Sequence, residues 1–296
     1  MSGASPSLDD LDFYRSGSVM ADAGKWTSLL SPFPDDVASL ARFVQGLMLH
    51  EHLAGTYGEV LTPARREESQ LRDVARMLET VVAHDTQPLN VARPPQKRLI
   101  GVCRHFTLLM VTMLRTKGYA ARSRCGFGTY FEAGRFVDHW VAEYWHEKDR
   151  RWVMVDAQID DLLKSKFKTD FDVLDVPRDR FVVAGDAWMM VREGRADAGR
   201  FGIMDMWGHW FIAGNVIRDV AALNKVEMLP WDVWGAMPPM REPMPETSFD
   251  LFDRLAMATR YPDTPLEQLH ALYVEVRVPK DVFNAVTNKL ETIHGE

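Results

Sequence analysis

The chain has 296 residues, 46% of them hydrophobic and 26% charged, with a formal net charge of −7. That is enough apolar material for one large core or two smaller ones. The acidic balance argues against a nucleic-acid partner, which needs a concentrated basic face, and local basic clusters such as "RPPQKR" are short and mixed with proline. No apolar run reaches the roughly 18 residues of a membrane helix. The opening "MSGASPSLDDLDFYRSGSV" has no basic segment followed by an apolar one, so neither a signal peptide nor a membrane anchor is expected. Two cysteines, Cys103 and Cys125, make no disulfide framework and suit a reducing, cytoplasmic location.

Residues 1–34 are polar and turn-rich and read as a loosely packed arm. From "SPFPDD" onward Val37, Leu40, Ala41, Val44, Leu47 and Met48 recur at helical spacing, with Gly55 as the stop. A second helix is predicted in "PARREESQLRDVARMLETVVAHD", opened by Pro63, with Leu71, Val74, Ala75, Leu78 and Val81 as its apolar stripe. After a proline-bearing link, Phe106, Leu109, Met110, Met113 and Leu114 mark a third helix that ends at Gly118 and has Cys103 in its first turn. "YAARSRCGFGTYF", "RFVDHWVAEYWH" and "RRWVMVDAQI" read as strands, the last two joined by the turn "EKD". The domain reading is a core with leading helices over 35–165, followed by a Trp- and Met-rich elaboration over 166–296 packed on that core. "SFDLFDRLAMAT", "PLEQLHALYVEV" and "PKDVFNAVTNKLETI" are expected as closing helices.

A thiol in the first turn of a helix faces unpaired backbone N–H groups and the positive end of the macrodipole, which favour thiolate and can hold an oxyanion. It needs an imidazole to take its proton, and the imidazole needs a group to fix its tautomer. A two-residue turn at Glu147 and Lys148 would place His139 directly opposite Asp156 on neighbouring strands, within hydrogen-bonding reach. Asp138 then points to the other face. Cys125, beside Gly126, reads as a structural strand residue. Zinc binding by Cys103, His139 and Asp156 lacks the close Cys or His pair that usually anchors such a site, so no metal and no cofactor are expected.

"GVCRHFTLLMVTMLRTKGYAARSRCGFG", "DHWVAEYW" and "RWVMVDAQ" together resemble the core of the transglutaminase-like superfamily. The resemblance falls on Gly101 and Cys103, on Gly118, Ala121 and Arg122, on His139 and Glu143, and on Trp152 and Asp156. It departs from the family pattern at Val141 and Ala157, where an aromatic residue and a proline are usual. It implies an α+β fold of papain-like arrangement, with a cysteine-bearing helix packed on an antiparallel sheet and helical elaborations at both ends. It also implies a Cys103, His139, Asp156 triad in a thiol hydrolase of amide or peptide bonds. Two alternatives are an acyltransferase or amide synthase that passes the acyl group to an amine, and a non-catalytic binding protein on the same fold. The expected partner is a peptide or a small-molecule amide or thioester. Gln96, with Gln87 as its rival, is the candidate second oxyanion donor. Trp140, Trp188, Trp207, His209 and Trp210 are candidate walls of an apolar substrate cleft.

Overall fold

Side-chain caps set the early helix boundaries in the computed structural model, which describes residues 6–293; residues 1–5 of the expected arm and 294–296 lie outside the described residues. The rest of the arm is packed. Helices α1 (Leu8–Arg15) and α2 (Thr27–Leu30) bury Leu11, Tyr14 and Leu30. Thr112 Oγ1 donates to the Ala21 carbonyl at 2.9 Å, and Arg115 Nε to the Tyr14 carbonyl at 3.1 Å.

Helix α3 (Val37–Leu47) opens where its pattern predicts, with Asp36 Oδ1 accepting from the Ser39 N–H at 2.8 Å. It ends short of Gly55 because β1 (Met48–His50) pairs in parallel with residues 99–101, a non-local ladder that overrides local helix propensity. The second expected helix is two. α4 (Pro63–Arg66) runs into a 3-10 turn at Glu67–Gln70, and the chain breaks before α5 (Val74–His84), capped by Asp73. Glu68 in that turn reaches the Ile100 N–H, and the Leu71 carbonyl freed by the break accepts from His105.

β2 (Leu99–Gly101) leads into α6 (Cys103–Thr116), which stops before Gly118 at φ +83°. β3 (Ala121–Gly128), β4 (Phe136–His146) and β5 (Arg151–Val155) follow. In the β4–β5 hairpin His146 pairs with Arg151 and Ala142 with Val155. The loop therefore has four residues, with Arg150 at φ 50° and the Asp149 N–H donating to His146 Nδ1 at 3.3 Å. This corrects the two-residue turn and the direct opposition of His139 and Asp156. A slip of two residues leaves the alternation of faces unchanged.

Beyond α7 (Asp161–Phe167) the chain is mixed rather than helical. In order come β6 (Phe181–Val183), α8 (Ala184–Arg192), β7 (Phe201–Ile203), β8 (Met206–Trp207), α9 (His209–Leu223) and β9 (Asp232–Val233). α10 (Phe249–Thr259), α11 (Leu266–Val276), β10 (Asp281–Asn284) and β11 (Lys289–Thr292) complete it. The last expected helix is thus a hairpin. Asn288 adopts φ 55° in its turn, Asn284 Oδ1 accepts from the Val286 and Thr287 N–H groups, and β10 gains a second partner in β9. No helix among the described residues is long and apolar enough to cross a membrane.

The fold is mixed α+β and divides into two compact units, each assembled from separate stretches. Residues 11–123 and 141–176 form what we call the cysteine unit. Its α6 is buried from Cys103 to Arg115, with α3, α2 and α5 packed against it. Each fully buried Leu or Val there contributes ~1.5–3 kcal/mol against exposure. The histidine unit takes residues 124–140 and 177 onward, with 6–10. Its strand order is β6-β3-β4-β7-β8, with β7 parallel to β4, and α8, α10 and α11 surround α9. Phe136 stacks on Phe201 at 4.1 Å, and Phe127 meets both Phe201 and Phe211 of α9.

Candidate active site

Cys103 is the first residue of α6, in no disulfide and with 6% of its surface exposed. First-turn amides have no acceptor inside the helix, and the macrodipole there favours negative charge, so the position suits a thiolate and an oxyanion. Three devices hold this helix start. Gly101 lies so close to its neighbours that a Cβ would sit 2.9 Å from both His105 Cβ and Met48 Cε. The Ile100 N–H donates to Glu68 Oε2 at 2.9 Å, and that glutamate also pairs with Arg65 and His84. The Val102 N–H donates to His105 Nδ1 at 3.2 Å, while His105 Nε2 lies 2.9 Å from the Leu71 carbonyl. With Nδ1 accepting, Nε2 carries the proton and the ring is neutral.

Burial, and then the charge of Arg104, push the His105 pKa down to about 3. The folded value lies below the unfolded one of about 6.5. Stability from this group is therefore complete above about pH 6.5 and is lost as the pH falls toward 3, because only the unfolded chain takes the proton. We expect the urea midpoint to fall steadily across that window. The slope from one such group is ~1.4 kcal/mol per pH unit. His105→Gln, which keeps a residue able to serve at the third position of a capping box, should flatten the wild-type slope by that share. An identical pH dependence in the two proteins would refute the assignment.

Asp156, 1% exposed, follows β5 in the cysteine unit. Its Oδ1 accepts from the Gln158 N–H at 3.1 Å, and its own N–H donates to the Val173 carbonyl at 2.8 Å. The other motif residues of that unit are structural. Arg122 Nε donates to Glu143 Oε2 at 2.7 Å in a buried pair, and its guanidinium lies 3.8 Å from the Trp152 ring centroid and 5.1 Å from that of Tyr14. Arg122, Glu143 and Trp152 therefore brace the hairpin that leads to Asp156.

His139 belongs to the histidine unit and is 2% exposed. Its ring is collared by Phe131 at 4.7 Å, Tyr130 at 6.0 Å and Phe181 at 6.2 Å, all edge-on. Asp138 projects to the opposite face, where Asn215 Nδ2 donates to its Oδ1 at 2.7 Å. Burial pushes that carboxyl pKa up. Cys125 is fully buried, and its N–H donates to Asp219 Oδ1 at 2.8 Å.

Gln96 is exposed, its side-chain amide bonded to Glu59; Gln87 is exposed too. Trp140 alternates to the face opposite His139 and is buried with its indole N–H unpartnered. Trp188 is also enclosed, donating to Asp253 Oδ1 at 2.6 Å and packed on Phe249 and Phe252. Neither presents surface to a ligand. Trp207, His209 and Trp210 are half-buried and line one cavity of the histidine unit. Sequence reasoning missed His105, although its spacing from Val102 is that of a capping box with an imidazole in place of Glu or Gln. It also missed Glu68 and His50. His50 is the ladder partner of Gly101, and its ring stacks 6.4 Å from that of Phe106; only non-local pairing reveals either. Among the described residues no group of three or more His, Cys, Asp or Glu is arranged to hold a metal ion.

Residues 53–157 match the family model of the transglutaminase-like superfamily. A solved structure described as a "Putative Cysteine Protease" from Cytophaga hutchinsonii is similar at 15% identity and a TM-score of 0.36, over 61% of this chain and 50% of that one. The chain thus spans about half the length of that protein. No curated protein matches it.

Proposed function

We propose that the chain is a cysteine-dependent hydrolase of amide or peptide bonds, working through an acyl-enzyme, with Cys103 as nucleophile, His139 as base and Asp156 as the group that orients the imidazole. The observation that carries this reading is the place of Cys103 at the head of α6. The Cys103 sulfur adds to the carbonyl carbon as its proton passes to His139, and first-turn amides of α6 hold the oxyanion. His139 then gives the proton to the departing amine, leaving a thioester. Water, deprotonated by His139, attacks the thioester, and the acid and the thiol are released.

An amine in place of water would make the same machinery an acyltransferase. A p-nitrophenyl ester offered with and without n-butylamine separates the two: free acid in both cases means hydrolase, amide product means transferase.

The test of the nucleophile is iodoacetamide alkylation as a function of pH, read site by site with Cys125 as internal control and repeated in His139→Ala. Cys103 is expected to react as a thiolate well below the free-thiol pKa of about 8.5, and to lose that shift without His139. Ordinary titration in both proteins, or reactivity no greater than that of Cys125, would overturn the reading.

A further inference from the structure

The histidine unit contains a cavity of about 640 Å³, within the ~300–1,000 Å³ usual for small-molecule sites. Its inner wall is aromatic, made by Trp207, His209, Trp210 and Phe249. Both indole N–H groups are already used, Trp207 Nε1 on the Met204 carbonyl at 2.6 Å and Trp210 Nε1 on the Trp207 carbonyl at 3.1 Å. The indoles therefore offer ring surfaces and no donors. His209 stacks on Phe249 at 5.8 Å, and burial holds its pKa below the ordinary histidine value, so it brings no charge at neutral pH.

The charge at the rim has one sign to spare. Arg241 is bound to Asp205 at 2.6 Å, and Arg192, which attracts Glu246, is already paired with Asp253, so the exposed carboxylates of Glu242 and Glu246 outweigh the positive charge left to the wall. The aromatic wall takes cations elsewhere: Arg135 lies 4.6 Å over Trp207, and Arg192, itself paired with Asp253, lies 4.9 Å over Phe249. Trp210 carries no such guest among the described residues. Aromatic faces and surplus carboxylate attract an organic cation with an apolar body and repel an acid.

Trp207 is positioned by its ladder with Gly202, where a Cβ would fall 1.9 Å from the Met206 carbonyl oxygen and force β7 and β8 apart.

We propose that this cavity binds an organic cation with an apolar body, an alkyl- or arylalkylammonium group. The experiment titrates the full chain with phenethylamine, phenethyl alcohol and 3-phenylpropionate, followed by calorimetry and tryptophan fluorescence. The ammonium should bind about 10-fold tighter than the alcohol, and the carboxylate more weakly than either. Trp210→Ala should weaken the amine by a similar factor, and the surface change Glu242→Gln with Glu246→Gln should bring amine and alcohol to within about 2-fold. Equal affinities for the three probes, or a preference untouched by the double glutamine variant, would overturn the proposal.

Discussion

Cys103→Ala is expected to abolish the burst of p-nitrophenolate that wild type gives with a p-nitrophenyl ester, and to lower steady turnover by at least ~10³-fold. The substitution removes one sulfur from a helix start already held by Gly101, His105 and Glu68, so the fold should survive, as circular dichroism would confirm. His139→Ala should cost a comparable factor, and Asp156→Asn ~10²–10⁴, because in the proposed triad the imidazole then loses the carboxylate that fixes its tautomer. Residues that act as one unit are not additive, so the Cys103→Ala, His139→Ala double variant should be no slower than Cys103→Ala alone. A burst that survives in Cys103→Ala would place the nucleophile elsewhere. An unchanged biological activity in that variant would instead make the chain a binding protein.

Asp219→Ala should destabilise the histidine unit by ~3–5 kcal/mol, a large share of the ~5–15 kcal/mol that holds a typical domain. Arg124 and Asp219 are both fully buried and meet through two bonds, Nε to Oδ1 at 3.1 Å and Nη2 to Oδ2 at 2.9 Å. Nη2 also donates to the Thr259 carbonyl at 2.7 Å, so the pair ties β3 to α9 and to the end of α10. Without the carboxylate a buried guanidinium loses its counter-charge, and the Cys125 N–H loses the acceptor at 2.8 Å. The paired change Arg124→Met with Asp219→Leu should recover much of the loss, because it removes both charges and keeps the volume. Urea and thermal unfolding followed by tryptophan fluorescence decide this. Equal loss in the single and double variants would mean that packing around α9, not the charge, is what the alanine disturbs.

Arg124 and Asp219 are 95 residues apart in sequence, and nothing in either local pattern announces the pair. The same holds for Glu68, which reaches Ile100 across 32 residues and splits what reads as one helix. Arg122, Glu143 and Trp152 were visible as motif positions, yet their joint role as a buried ion pair stacked on an indole is a product of assembly. The hairpin was legible and its turn was not. A charged four-residue loop with Arg150 in the left-handed region carries no Asn-Gly or Asp-Gly signature, so the register was misread by two residues. The closing segment failed differently: its apolar spacing suits a helix or a strand, and the free edge supplied by β9 chose strand.

What the amino-acid sequence determined by itself is what near neighbours control. The head of α6 at Cys103, its stop before Gly118, the Asp36 cap of α3 and the alternation that sends His139 and Asp138 to opposite faces all follow from backbone geometry and side chains within a few residues. Tertiary structure alone decided that Met48–His50 is a strand, that His105 is a buried neutral cap, and that Trp188 is core while Trp207 and Trp210 wall a cavity. Each of those outcomes depends on hydrogen bonds and burial contributed by residues far away in the chain, and such terms outweigh the few tenths of a kcal/mol by which local propensities usually differ.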